Sequence, residues 1–175
     1  MTRSSHISWV LFRTLLFTII VPGTVGVWIP YRIGGASDIR TILERASQPR
    51  EFTCVLFLLI GSLIYLWCAW DFSVKGLGTP APIDAPRTLV VNGLYRFVRN
   101  PMYLGVAHLI SAQSILRSSH SVFYYLIFFL VCAHLFVFFY EEPHLRRIFG
   151  EQYEEYCRQV PRWIPDFRGY RPPAT

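Results

Sequence analysis

Phe52 to Trp70 is nineteen residues without a charge, and no other feature limits the possible folds of this chain so tightly. At about 1.5 Å per residue, a helix of that length nearly spans the ~30 Å hydrocarbon core of a bilayer. Helices suit that medium because they satisfy their backbone hydrogen bonds internally, whereas an open sheet leaves an edge unpaired. Trp9 to Ile29 is a second such run, with tryptophans at both ends as interfacial anchors. Arg13 lies one turn inside it and reaches the headgroups along its aliphatic stem. Pro22 and Gly23 predict a kink. No small-residue cleavage motif follows, which predicts a retained span and not a signal peptide.

The remaining segments follow from the same reading. Pro30 to Glu51 is a polar loop with charges of both signs. Asp71 to Pro101 is a longer one, punctuated by Pro80, Pro82, Pro86, Asn92-Gly93 and Asn100-Pro101. Loops of such length inside a compact domain are commonly functional. Met102 to Leu116 is a shorter apolar run, and Ser118, Ser119 and His120 turn it back into Ser121 to Tyr140. Beyond Glu141, apolar Leu145, Ile148, Phe149, Tyr153 and Tyr156 recur at helical spacing with charges between them. That pattern predicts an amphipathic helix on the membrane surface. After Pro161 the chain is proline-rich and expected to be irregular. The expected architecture is an all-α integral membrane bundle of about four transmembrane helices plus a C-terminal interfacial helix, in a single domain over residues 1–175.

Apolar residues make up 53% of the chain and aromatics 17%, more than a soluble domain of this size can shelter from water. The net charge of +6 does not mark a nucleic-acid partner, because the arginines sit between apolar runs and form no stripe. With four spans, the N-terminus, the 71–101 loop and the tail share one face, carrying eleven Lys and Arg against five opposite. The positive-inside rule then predicts a multi-pass protein with both termini in the cytoplasm. Cys54, Cys68, Cys132 and Cys157 form no CxxC pair or zinc-spaced cluster, so buried thiols and no metal site are expected. His108 and His134, inside apolar runs, read as hydrogen-bonded packing histidines. No small-residue face that would define an oligomer is distinct.

This topology brings Arg87–Tyr103 and Glu141–Tyr156 to one face, where arginines, tyrosines and two carboxylates meet the rim of an apolar body. Asn92-Gly93 is a turn that tolerates positive φ and lets backbone approach a ligand closely. Asn100 before Pro101 suits a helix N-terminus, which attracts anions.

Arg99-Asn100-Pro101-Met102-Tyr103-Leu104-Gly105 resembles the RHPxYxG motif of the isoprenylcysteine carboxyl methyltransferase and phospholipid methyltransferase superfamily. Arg87-Thr88-Leu89-Val90 and Gly93-Leu94-Tyr95 match the segment before it. Glu141-Glu142, Leu145, Phe149-Gly150, Tyr153, Tyr156 and Val160-Pro161 match the C-terminal signature, so the resemblance covers about residues 75–165. It implies an enzyme that binds S-adenosylmethionine at the cytoplasmic face. The implied acceptor is lipophilic, such as a prenylcysteine carboxylate or a lipid head group, and enters from the bilayer among the membrane lipids. By position, Arg87, Thr88, Leu89, Val90, Tyr95, Asn100, Pro101, Met102, Tyr103 and Glu141 line the cofactor pocket, and Arg99 and Glu142 are the catalytic candidates. Asn100 replaces the family histidine. Val137 stands where the eukaryotic carboxyl methyltransferases carry an arginine thought to meet the substrate carboxylate, which weighs against a prenylcysteine acceptor.

Methyl transfer from a sulfonium is an in-line displacement, so alignment and exclusion of water are the enzyme's main tasks. An amine or hydroxyl acceptor also needs a base, for which Glu142 and His144 are the candidates. Two other readings stand beside this one. A nicotinamide-dependent membrane reductase of the steroid-reductase type shares the C-terminal architecture, and a non-catalytic lipid-binding membrane protein is compatible with Asn100 and Val137.

Overall fold

The computed structural model describes residues 3–35, 48–74 and 88–171, which are helical and irregular with no strand among them. Helix α1 (Arg3–Gly23) passes through a π-helical turn (Thr24–Trp28) into α2 (Ile29–Gly34). The long helix α3 (Pro49–Val74) follows, then a single 3-10 turn (Gly93–Arg96). Helices α4 (Pro101–Arg117) and α5 (His120–Phe136) form a hairpin. A second π-helical turn (Val137–Glu141) leads into α6 (Glu142–Phe149), and α7 (Glu151–Gln159) closes the helical part.

Among the described residues, three stretches are long and apolar enough to cross a membrane: Trp9–Gly34, Pro49–Val74 and His120–Phe149. Each runs beyond its expected bounds. Proline at the first turn lets α2 and α3 take up Pro30 and Pro49, which the sequence pattern assigns to a loop. At its other end α3 continues past Trp70, because Asp71 and Ser73 are buried against other elements and not in water. α4, expected as one of four spans, has 17 residues and a length of about 25 Å, short of the other three. It is the central helix, with Gly105, Val106, Ala107, Ile110 and Ala112 buried.

Helices α3 and α4 touch through glycine. A Cβ on Gly61 would lie 2.8 Å from Gly105 O, and one on Gly105 would lie 3.0 Å from Gly61 O and 3.1 Å from Tyr65 N. Close backbone approach of this kind is how helices associate where apolar burial supplies no preference. α1 is held to α3 by a polar seam. Ser73 Oγ lies 2.9 Å from Thr14 Oγ1, and Tyr65 Oη lies 3.0 Å from Thr18 Oγ1, whose own proton goes to Thr14 O at 2.7 Å. The expected kink is a π-helical turn just after Pro22. Widening the helix frees carbonyls, and neighbours bind them: Tyr125 Oη donates to Val25 O at 3.0 Å and Gln113 Nε2 to Gly26 O at 2.7 Å.

The hairpin turn forms at the expected serines. Ser118 adopts the left-handed conformation (φ 48°, ψ 38°) and Ser119 Oγ accepts from Val122 N at 3.4 Å. The expected single amphipathic helix after Glu141 is two helices broken at Gly150, whose φ of 53° interrupts the helix. Most of their apolar residues turn inward, Tyr153, Tyr156 and Val160 clustering with Tyr170 against Leu89, Leu145 and Phe149, while Ile148 is exposed. The segment after Val160 is irregular, as expected, yet it is strapped along residues 96–99. Pro161 O accepts from Arg99 N at 3.0 Å, and Asp166 N and Tyr170 N donate to Phe97 O and Arg96 O at 2.9 and 2.8 Å.

The glycine contact makes a direct forecast. Gly105→Ala pushes a methyl group into α3 backbone that cannot rotate away, and destabilises the protein by roughly 1–3 kcal/mol. A lowered unfolding midpoint in detergent is the expected result; an unchanged midpoint contradicts the helix contact.

Candidate functional site

A cavity of about 700 Å³ lies between α1, α3, α4 and the π-helical end of α5, a size suited to small-molecule and cofactor sites. Both π-helical turns face it, through Val25 and through Val137, Tyr140 and Glu141. The body of the cavity is apolar, with Val25, Val106 and Phe129 on its wall, and polar groups gather where α4 begins and α5 ends.

Of the residues expected in the cofactor pocket, Leu89, Val90, Tyr95, Asn100, Met102, Tyr103 and Glu141 line this cavity. Arg99 and Glu142 line it too. Pro101 is buried at the start of α4 without being part of the lining, and Thr88 is exposed away from it. Arg87 lies outside the described residues, as does the proline-rich stretch from Pro80 to Pro86.

Gly93 has φ 57°, the positive value expected at this turn, and a Cβ there would lie 2.2 Å from Asp71 Oδ2. The turn is thus folded down onto the buried end of α3, which carries Leu89, Val90 and Tyr95 inward. Tyr95 is buried, and its carbonyl accepts from Tyr156 Oη at 2.6 Å. Asn100 departs from its expected capping role. It precedes α4 but makes no side-chain cap; its Nδ2 donates to Arg162 O at 3.1 Å, tying the strap to the motif.

The two carboxylates have different environments. Glu141 accepts from Tyr103 Oη at 2.6 Å. Glu142, 2% exposed, has both oxygens held by guanidinium groups. Oε1 receives Arg99 Nη1 at 2.9 Å and Arg162 Nε at 2.6 Å, and Oε2 receives Arg162 Nη2 at 2.9 Å. Arg146 stands 3.6 Å from Oε2 and also pairs with Glu154 at 2.7 Å. Arg99 keeps one buried donor, Nε, with no hydrogen-bond partner among the described residues. Its Nη1 also lies 2.9 Å from Cys157 Sγ.

Around this cluster the wall is neutral. Burial raises the Tyr95, Tyr153 and Tyr156 phenols above their ordinary range. Burial likewise raises the Cys157 thiol, against the lowering influence of Arg99. His144 lines the cavity with its ring stacked on Tyr140, centroids 5.9 Å apart. His108 is not part of the lining; its Nδ1 lies 2.7 Å from Leu104 O and its ring meets Phe57. His134 is exposed and accepts from Trp163 Nε1 at 3.0 Å, while Trp163 packs edge-on against Tyr103.

Sequence reasoning missed two contributions. α1 and the π-helical turn after it supply Phe17, Val21, Pro22 and Val25 to the wall, and Arg162 in the irregular tail completes the ion cluster. The first left no signal beyond an apolar span that reads as lipid-facing all round. The second had one, since an arginine directly after the matched Val160-Pro161 is a natural partner for a buried carboxylate. Glu142→Ala leaves Arg99 and Arg162 facing each other with no anion between them. The expected destabilisation is about 3–5 kcal/mol, the usual effect of breaking a buried ion pair from one side. Unfolding in detergent checks it, and a variant as stable as the parent contradicts the cluster's structural weight.

With this geometry in view, comparison with known proteins is specific. The Phospholipid methyltransferase family matches residues 50–152, which takes in α3, the Arg99–Gly105 motif, the α4–α5 hairpin and both carboxylates. Over 73 residues, 41% of this chain and 27% of the relative, the sequence is 40% identical to the methanethiol S-methyltransferase of Crocosphaera subtropica. The chain therefore spans little more than a quarter of that relative's length. No solved structure matches. The chain belongs to the phospholipid methyltransferase family, within the isoprenylcysteine carboxyl methyltransferase-like superfamily of membrane methyltransferases.

Proposed function

We propose that this protein transfers a methyl group from S-adenosylmethionine to a lipophilic acceptor, at a site formed by the cavity between α1, α3, α4 and the end of α5. The observation that carries this reading is the polar head of an otherwise apolar cavity. Arg99 offers a buried Nε with no hydrogen-bond partner among the described residues, and Glu141, fixed by Tyr103 at 2.6 Å, lines the same cavity. A zwitterionic amino acid moiety fits that pair, its carboxylate toward the guanidinium and its ammonium toward Glu141. When bound, S-adenosylmethionine supplies an electrophilic methyl group. The chain's part is to orient and to exclude water: Arg99 and Glu141 hold the amino acid end, and the apolar body holds the acceptor.

Glu142 is assigned a positioning role. With both oxygens on guanidinium groups, it holds Arg99 in place and takes no proton. In the membrane, α4 is assigned as the fourth crossing, both termini and the polar head facing the cytoplasm. α6 and α7 lie at that surface with Arg146, Arg147 and Arg158 exposed, a charge distribution that suits anionic lipid. The relative's name brings a thiol into the set of acceptors, beside a prenylcysteine carboxylate and a lipid head group.

Calorimetric titration of the detergent-purified protein with S-adenosylhomocysteine, and separately with NADPH, tests the reading. Binding of the first alone is expected. Binding of NADPH alone turns the case to a reductase, and silence from both in folded protein indicates a non-catalytic relative. Glu141→Ala and Tyr103→Ala each weaken S-adenosylhomocysteine binding by roughly 1–3 kcal/mol, the loss typical of a buried polar partner. Unchanged affinity in a folded variant removes that residue from the pocket.

A further inference from the structure

The charges at the head of the cavity narrow the class of acceptor, and this step rests on the methyltransferase reading above. Among the described residues lining the cavity, Arg99 and His144 are the basic ones. Arg99 is bound to Glu142 at 2.9 Å, and its remaining buried donor is assigned to the cofactor's carboxylate. An acceptor that arrives ionised, as a carboxylate or a phosphodiester, therefore meets no uncommitted guanidinium among the described residues. Burying such a charge without a partner is strongly unfavourable.

A thiol or an alcohol that arrives neutral must lose a proton to become a good nucleophile. Glu142 has both oxygens engaged by arginines, and Glu141, which accepts from Tyr103, is assigned to the cofactor's ammonium. His144 remains. It lies three residues beyond Glu141, on the same helical face, at the cavity wall and against the Tyr140 ring. Imidazole is the side chain whose ordinary titration falls around neutral pH. It is closer to a thiol, of which the cysteine side chain, with a reference pKa of about 8.5, is the acidic example. It is not matched to an alcohol, whose proton is held nearly as tightly as that of water.

The acceptor's tail is the province of α1, which lies N-terminal to the family match. Its cavity face is a built wall, held by the Thr14 and Thr18 contacts to α3 and by Tyr125 on Val25 O. Val21, Phe136 and Tyr140 line the cavity and are also 43%, 37% and 45% exposed. The wall between α1 and the end of α5 is thus a cleft open to the lipid-facing surface.

We propose that the acceptor is a thiol carrying an apolar chain, that His144 takes its proton, and that the α1 face sets the length of chain admitted. The thiol enters neutral through the cleft. Its S–H proton passes to the His144 imidazole and then to water, and the thiolate lone pair forms the new S–CH3 bond. The sulfonium C–S bond breaks with its electron pair remaining on the departing sulfur. The products are a methyl thioether, S-adenosylhomocysteine and one proton.

The test uses the purified full chain with alkanethiols and alkanoic acids of matched chain length, and alkyl methyl sulfides as binding probes without cofactor. Methylation of the thiols over the acids is expected, with the sulfides raising the unfolding midpoint. Val21→Trp, with S-adenosylhomocysteine affinity reporting an intact fold, lowers the longest sulfide chain that still stabilises the protein. His144→Gln slows methylation of an alkanethiol by roughly 100-fold or more, as loss of a general base does. That loss shrinks for 4-nitrothiophenol, which is already ionised at neutral pH. Equal losses with the two thiols overturn the role of His144, and faster methylation of acids overturns the acceptor class. An unchanged chain-length limit in Val21→Trp overturns the role of α1. Failure of S-adenosylhomocysteine to bind at all is a different result, and it sinks the methyltransferase reading beneath this one.

Discussion

A carboxylate with 2% exposure, Glu142, joins three parts of the chain that lie far apart in sequence. Arg99 comes from the loop before α4, Arg162 from the irregular strap, and Glu142 itself from the turn at which α5 becomes α6. A buried ion cluster is a weak source of net stability, since desolvation offsets much of its attraction. Its value here is geometric. Because each guanidinium must meet the same carboxylate, Arg99 is aimed along the cavity, and the strap is pinned where Asn100 and Trp163 reach the motif. The neutral walls follow from the same arrangement, since the one strong cation at the head is balanced from behind.

The cavity itself depends on irregular backbone. Two long helical rods each contain a π-helical turn, and both turns face the void. A regular α-helix of the same sequence would rotate Val25 or Glu141 off that face. The cost of widening is met locally, for α1 by the Tyr125 and Gln113 hydrogen bonds to freed carbonyls. On the opposite side the Gly61–Gly105 contact draws α3 and α4 together, so the void opens toward α1 and not between those two helices.

Much of this was legible in the residues. Charge-free runs mark the spans, the Ser118–Ser119 turn marks the hairpin, and the Asn92-Gly93 pair takes positive φ at Gly93. The grouping of the candidate residues was legible because they fall in two compact motifs, and seven of the ten expected pocket residues line one cavity. What stayed hidden has a common cause: it depends on partners distant in sequence. Asp71 and Ser73 read as a helix exit until Gly93 and Thr14 cover them. Glu142 reads as a base until three arginines converge on it, and α1 reads as uniformly lipid-facing until one side meets the cavity. Asn100 reads as a cap because nothing local shows the strap that takes its side chain.

The central claim is that one cavity holds the methyl donor at its polar head and the acceptor in its apolar body. An experimental structure of the protein with S-adenosylhomocysteine bound, in a lipid nanodisc, tests it most directly. The account predicts the ligand's amino acid end between Arg99 and Glu141, with its sulfur facing the chamber walled by Val21 and Val25. Ligand bound elsewhere, or a cavity head filled by a rearranged Glu142 cluster, contradicts it.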